Sequence, residues 1–255
     1  MKMKKLIIGN WKMFPASVLD AREKFVAIKK IAGTLRNVQT VICPPFIYAS
    51  DLKKLATGHR CVLGAQNAWY ENEGAYTGEV SPVMISSVGL SFVILGHSER
   101  RALGETDDLI NKKIVAIAKT KLIAVLCVGE RERDQDGEYL KHIAVQIKLA
   151  LKGIQKKDLA RIVIAYEPIW AIGKHATHAA SPDDALEVSI LIKKTLADLY
   201  GKDGSSVAIL YGGSVDAKNA WEFLFKSQID GLLVGRASLD PKVFGEILKS
   251  ADKIK

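Results

Sequence analysis

Glu167 closes an almost continuous apolar run, Ile162–Tyr166, and is followed at once by Pro168. An isolated buried carboxylate costs on the order of several kcal/mol, so one at the end of a buried strand must be paired, hydrated or at work. Pro168 confines Glu167 to extended backbone and opens a turn behind it. Other polar groups follow other apolar runs. Asn10 and Lys12 come after residues 6–9, two apart, and share one face if the strand continues through them. Gln66 and Asn67 follow Cys61–Ala65, His97-Ser98-Glu99 follow Phe92–Leu95, and Cys127 and Glu130 end the run that starts at 122. Gly212-Gly213-Ser214 and Gly235-Arg236 follow the last two runs. Taken singly, Lys12 reads as a solvated cation and His97 as a hydrogen-bonded structural imidazole. Taken together, a carboxylate, an imidazole and an ammonium form a proton-transfer set: a base, a donor and a fixed charge for developing negative charge. The glycine turns expose backbone N–H groups, and a helix expected from Val215 would aim its N-terminus at the same place, which suits a phosphate.

The elements that must position these groups are eight short runs rich in Val, Ile and Leu: 6–9, Val38–Cys43, Cys61–Ala65, Phe92–Leu95, 122–128, Ile162–Tyr166, 207–211 and Gly231–Val234. Each is too short for a helix. Between them lie stretches of helical periodicity, such as 17–31 ending at Gly33 and Pro182–Tyr200 ending at Gly201, whose stops match glycine caps. Ser181-Pro182-Asp183-Asp184 and Asp240-Pro241 are helix starts, with a capping side chain, a first-turn proline and, in the former, first-turn acids. Continuous apolar strands alternating with helices imply a parallel sheet covered by helices. Eight such units in 255 residues fit a closed (β/α)₈ barrel of the α/β class, a single domain over 1–255. A doubly wound sheet has no support, since neither GxGxxG after the first strand nor GxxxxGK[ST] anywhere is present. In such a barrel the working residues lie at the C-terminal ends of the strands, where the polar groups above converge.

Composition bounds the partners. The chain is 48% hydrophobic and 25% charged, ordinary for a globular protein. Lys+Arg 37 against Asp+Glu 28 gives +9, but the cations are scattered along helical faces such as Lys29/Lys30 and Lys193/Lys194, so no nucleic acid is expected. Cys43, Cys61 and Cys127 form neither CxxC nor a metal spacing, which points to a reducing compartment. The opening MKMKKLIIGNWKMF has too short an apolar run for a signal peptide, and no segment approaches a membrane span, so a cytoplasmic protein with no membrane partner is expected.

The segments GNWKM (9–13), GAQN (64–67), GAYTGE (74–79), ILGHSERR (94–101), CVGE (127–130), AYEPIWAIG (165–173), YGGSV (211–215) and LLVGRASL (232–239) together resemble the triosephosphate isomerase family over essentially the whole chain. The resemblance implies a TIM barrel and reversible interconversion of dihydroxyacetone phosphate and glyceraldehyde 3-phosphate, through an enediolate, in glycolysis and gluconeogenesis. It implies Glu167 as base, neutral His97 at a helix start as electrophile, Lys12 as fixed charge and Asn10 as orienting donor. Glu99 would be a further carboxylate of the motif. Gly173, Ser214, Gly235 and Arg236 would hold the phosphate, without cofactor or metal. Pro168, Ile169, Trp170, Ala171, Ile172, Gly173, Lys174, His175, Ala176, Thr177 and His178 would form a lid that excludes water. Two departures stand out. The lid runs Gly173-Lys174-His175-Ala176-Thr177-His178 where the family usually has Gly-Thr-Gly-Lys-Thr-Ala, and Arg236 replaces a glycine. His175 and His178 lack a third ligand and read as surface histidines. The segment 66–80, with Gln66, Trp69, Tyr70, Tyr76, Thr77 and Glu79, resembles a loop that docks into a second subunit of a homodimer, Thr77 reaching the neighbour's Asn10 and Lys12, and Glu79 pairing with Arg100 of its own subunit. Rival readings are an isomerase of a four-carbon ketose phosphate, a glycosidase using Glu99 and Glu167, and a non-catalytic phosphate-binding barrel.

Overall fold

The computed structural model describes residues 4–172 and 179–254. Eight strands, β1 (Lys5–Asn10), β2 (Val38–Cys43), β3 (Cys61–Ala65), β4 (Phe92–Leu95), β5 (Ile123–Val128), β6 (Ile162–Tyr166), β7 (Ala208–Tyr211) and β8 (Gly231–Val234), follow one another around a closed parallel barrel. Five have the limits expected from the apolar runs; β1 runs one residue further at each end, and β5 and β7 each start one residue later. The ring closes where β1 pairs with β8, Leu6 against Gly231 and Gly9 against Val234.

Strand side chains alternate, so each strand feeds two separate cores. One parity, Ile8, Val41, Cys43, Phe92, Ile94, Val125, Cys127, Val163, Ala165, Leu210 and Leu233, forms one continuous cluster. That is the filling of the barrel, a packed interior with no channel. The other parity, including Ile7, Ile42, Leu63, Leu126, Ile164 and Leu232, packs with the helices. Both faces are dry, and this is why the strands read as unbroken apolar runs.

The helices are α1 (Val18–Ala32), α2 (Phe46–Leu55), α3 (Pro82–Val88), α4 (Ser98–Ala102), α5 (Asp107–Ala118), α6 (Glu138–Ala150), α7 (Pro182–Tyr200), α8 (Ala220–Lys226) and α9 (Pro241–Asp252). In α1 the buried Ala21, Phe25, Ile28 and Ala32 recur at helical spacing, the stripe that faces the sheet. Ser17 caps α1 by accepting from the Asp20 N–H, and Asp240 caps α9 by accepting from Lys242 and Val243. Ser181 and Asp184 complete a reciprocal capping box at α7. Gly201 ends α7 with φ +64 as a glycine stop should. Gly33 does not: it sits at φ −61, in right-handed geometry, and its N–H still bonds back to Lys29. The helix expected from Val215 begins only at Ala220, because Asp216 accepts from the Lys218 and Asn219 N–H groups and bends the chain into a turn first. Among the described helices none is long and apolar enough to cross a membrane.

Candidate active site

Parity decides which strand-end groups reach the mouth of the barrel. Asn10 and Lys12 continue the line of Ile8, Glu167 that of Val163 and Ala165, Gly212 that of Leu210, and Gly235 that of Leu233. His97 breaks the rule, since it is three residues beyond Ile94. Gly96 resets the count by adopting φ +67, a conformation costly for any residue with a Cβ. His97 is thereby placed as the N-cap residue of α4, facing the same mouth. Asn10, Lys12, His97, Glu99, Glu167, Gly212, Gly213, Ser214, Gly235 and Arg236 line one cavity of about 640 Å³, closed on one side by Ile172.

Glu167 is 3% exposed, and both oxygens are engaged. Oε2 accepts the backbone N–H of Ser98 at 2.9 Å, and Oε1 stands 3.1 Å from His97 Nε2. His97 Nδ1 accepts the N–H of Glu99 at 3.2 Å. A ring nitrogen that accepts carries no proton, so His97 is the neutral tautomer with its hydrogen on Nε2, directed at Glu167. Space beside Glu167 is made by Gly212, where a Cβ would come to 3.0 Å from the Glu167 Cγ.

Lys12 has φ +54, unusual for a residue with a side chain. Its turn is held from both ends. The Lys12 N–H donates to Asn10 Oδ1 at 3.0 Å, and its carbonyl accepts from Gln66 Nε2 at 2.8 Å. Gln66 donates also to the Cys43 carbonyl at 2.8 Å, fixing that clamp to β2. The Lys12 ammonium reaches into the mouth, paired with Glu99 Oε1 at 2.6 Å. Gly212, Gly213 and Ser214 lie in an open turn that starts beside Glu167, while Gly235, next to Lys12, precedes a single 3₁₀ turn over Arg236–Leu239. Gly235 and Arg236 thus line the cavity at a helical start, whereas α8 begins further along the chain.

A family model for triosephosphate isomerase matches residues 5–251. Proteins named triosephosphate isomerase are similar over nearly the full length: one from Dictyoglomus turgidum is 43% identical over 251 residues, 97% of this chain and 99% of the relative. One from Aquifex aeolicus is 44% identical over 250 residues, covering 97% of this chain and 100% of the relative. The chain belongs to the triosephosphate isomerase family.

Within this member of the family, the residues expected at the site are brought together wherever they are described. Of the segment expected to form a lid, Pro168, Ile169, Trp170, Ala171 and Ile172 form a short 3₁₀ turn and its flanks, with Trp170 and Ala171 buried. Gly173, Lys174, His175, Ala176, Thr177 and His178 lie outside the described residues. Among the described residues no group of three or more His, Cys, Asp or Glu is arranged to hold a metal. In the segment 66–80 the rings of Trp69, Tyr70 and Tyr76 cluster on one another, Trp69 lying 4.6 Å and 5.3 Å from the other two. Thr77 at the tip is exposed. The expected pairing of Glu79 with Arg100 is not formed. Arg100 stands 3.6 Å from Glu105, a buried carboxylate that also binds the wholly buried Lys113 and so holds a stronger claim on nearby cations. Sequence reasoning missed the work of Gln66 inside its own subunit and of the Ser98 N–H, because both act through backbone atoms that no motif spells out.

Proposed function

We propose that this cavity interconverts dihydroxyacetone phosphate and D-glyceraldehyde 3-phosphate, an aldose–ketose isomerisation of glycolysis and gluconeogenesis. The observation that carries the reading is the meeting of Glu167 with the Nε2–H face of neutral His97, in one cavity with the Lys12 ammonium and the Gly212–Ser214 and Gly235 turns. Family membership supports the same substrates.

The phosphate binds the backbone N–H groups around Ser214, Gly235 and Arg236, with Lys12 as counter-charge and the exposed Arg236 guanidinium at the rim. Glu167 removes a proton from the carbon beside the carbonyl. The C–H electron pair becomes the carbon–carbon double bond of the enediolate, and the carbonyl oxygen takes the negative charge. His97 Nε2–H donates to that oxygen, Lys12 offsets its charge, and Asn10, itself buried, orients it. His97 then gives its Nε2 proton to that oxygen and takes the hydroxyl proton from the neighbouring one, so the negative charge moves across, and Glu167 returns its proton to the carbon that bore the original carbonyl as the new carbonyl forms. A placed base contributes about 10²–10⁴ in rate, and one aimed donor roughly 3–4 kcal/mol. Residues 168–178 act as the lid, with the Gly173 amide on the phosphate. Excluding water protects the enediolate from losing phosphate.

The exposed tip at Thr77, with Gln66, Tyr76 and Glu79 in the same segment, supports a homodimer in which that segment enters a second subunit. Sedimentation at micromolar concentration is expected to give a dimer; monomer alone removes this part of the proposal. Free, buried Cys43, Cys61 and Cys127 fit a cytoplasmic setting. A coupled assay with glyceraldehyde 3-phosphate and chelator, run beside a tetrulose phosphate and an aryl glycoside, tests the whole. Turnover of the triose phosphate alone is expected. A higher kcat/KM for the tetrulose phosphate transfers the activity to a four-carbon substrate, and absence of any isomerisation ends the proposal.

A further inference from the structure

Behind Glu167, away from the cavity, lies a charged cluster that the chemistry above does not use. Glu130 is 1% exposed, and its Oε1 accepts from Tyr166 Oη at 2.8 Å, Trp170 Nε1 at 2.7 Å and Arg133 Nε at 3.1 Å. Its backbone carbonyl accepts the N–H of Ile169 at 3.0 Å. Tyr166 is the residue before Glu167, and Ile169 and Trp170 are the second and third after it, so one residue holds the chain on both sides of the base.

Arg133 is the cation paired with Glu130 there. Its guanidinium meets Glu130, donates through Nη2 to Tyr166 Oη at 3.2 Å, and reaches Asp184 Oδ1 through Nη1 at 2.6 Å. Its guanidinium carbon also lies 5.2 Å from the Trp170 ring centre, a cation–π arrangement. Burial, with Glu130 beside it, pushes the Tyr166 phenol well above its usual range, so the hydroxyl remains a donor to Glu130. Asp184 belongs to the capping box of α7, the element the chain enters after the lid. A single cation thus ties the residues flanking Glu167 to the start of α7, in a place where removing one partner of a buried pair leaves the other costly.

We infer that Arg133 is a positioning residue for Glu167, acting through Glu130 on the residues to either side of it; this rests on the reading of Glu167 as the base. Proton abstraction is steep in distance, and a misplacement of about 1 Å can lower a rate about 10²-fold. Gly212 joins this cluster only through backbone, its N–H donating to the Tyr166 carbonyl at 2.7 Å, and Gly235 follows β8, which does not pair with β6. Loss of Arg133 therefore acts on kcat and spares KM.

The test uses the full chain with Arg133→Met, Arg133→Lys, the double variant Arg133→Met/Glu130→Gln, and Glu167→Gln as reference. In Arg133→Met, kcat with glyceraldehyde 3-phosphate is expected to fall roughly 10- to 100-fold, while KM and competitive inhibition by inorganic phosphate stay within about threefold. The double variant, freed of the unpaired carboxylate, is expected to recover melting temperature without recovering kcat. Arg133→Lys keeps a cation but cannot span Glu130, Tyr166 and Asp184 together, and is expected to lose kcat at least about threefold at unchanged KM. This variant decides the matter if neither methionine variant folds. Parent-like kcat in whichever of these variants folds, a loss confined to KM, or recovery of kcat together with melting temperature in the double variant overturns the inference. If Glu167→Gln loses turnover while Arg133→Met and Arg133→Lys keep it, this inference alone fails; if Glu167→Gln keeps turnover, the assignment of the base fails instead.

Discussion

Glu167 and His97 face each other across 3.1 Å, and the hydrogen between them belongs to His97. The base and the electrophile of the proposed reaction are therefore each other's partners before substrate arrives. In the proposed reaction, a carbonyl oxygen entering the cavity competes with Glu167 for the Nε2–H.

Truncating the carboxylate gives the first prediction. Glu167→Ala should fold normally, since Gly212 and the cavity leave open space beside it, and kcat should fall at least about 10²-fold. Turnover of triose phosphate together with a melting curve checks this, and near-parent turnover rules the base out.

Gly212→Ala should be a subtler lesion. The added methyl would stand 3.0 Å from the Glu167 Cγ, close enough to turn the side chain but not to disrupt β7. A loss of kcat of about tenfold is expected, comparable to a sub-ångström misplacement of the base. Binding of inorganic phosphate should weaken less than threefold, and a kcat equal to the parent's would show that the base tolerates the contact.

Arg236 is tested by restoring the glycine usual in the family. If its guanidinium touches the phosphate, Arg236→Gly should raise KM about three- to tenfold, and the rise should shrink as salt is added, as for any exposed charge-assisted contact. An unchanged KM at low salt excludes the contact.

The buried thiols predict a pH dependence of stability. Burial pushes Cys61 up to about 12 from an ordinary value of 9.0. The unfolded chain thus loses this proton first, and it binds fewer protons than the folded chain between about pH 9 and 12. Stability is intact below that window and declines as pH rises through it, by about 1.4 kcal/mol per pH unit for one thiol. Urea unfolding between pH 9 and pH 10.5 should show a shallower decline for Cys61→Ala than for the parent; equal slopes would refute the assignment.

The barrel was legible because its strands are buried on both faces, so their sequences are apolar without interruption and their ends are marked by the first polar residue. Asn10, Lys12 and Glu167 were legible for the same reason, as polar residues in register with the interior parity. Less legible was anything that depends on a local turn. Val215 has an ordinary helical neighbourhood in sequence, and only the hydrogen bonds of Asp216 show that the chain turns before it coils. Nothing in the sequence sets Arg133 apart from the other charged residues that follow Glu130. Its partners, at 130, 166 and 184, become neighbours only once β5 and β6 lie side by side and α7 has been wrapped against them.

The two ends of the chain meet at the reacting mouth. Lys12 extends from the first strand and Gly235 from the last, and a Cβ on Gly235 would lie 3.6 Å from the Lys12 Cε. That junction is the seam where β1 and β8 zip the ring shut. The phosphate of the proposed substrate, seated there, would be a noncovalent staple across the seam, its affinity adding to the resistance of the whole cylinder against opening.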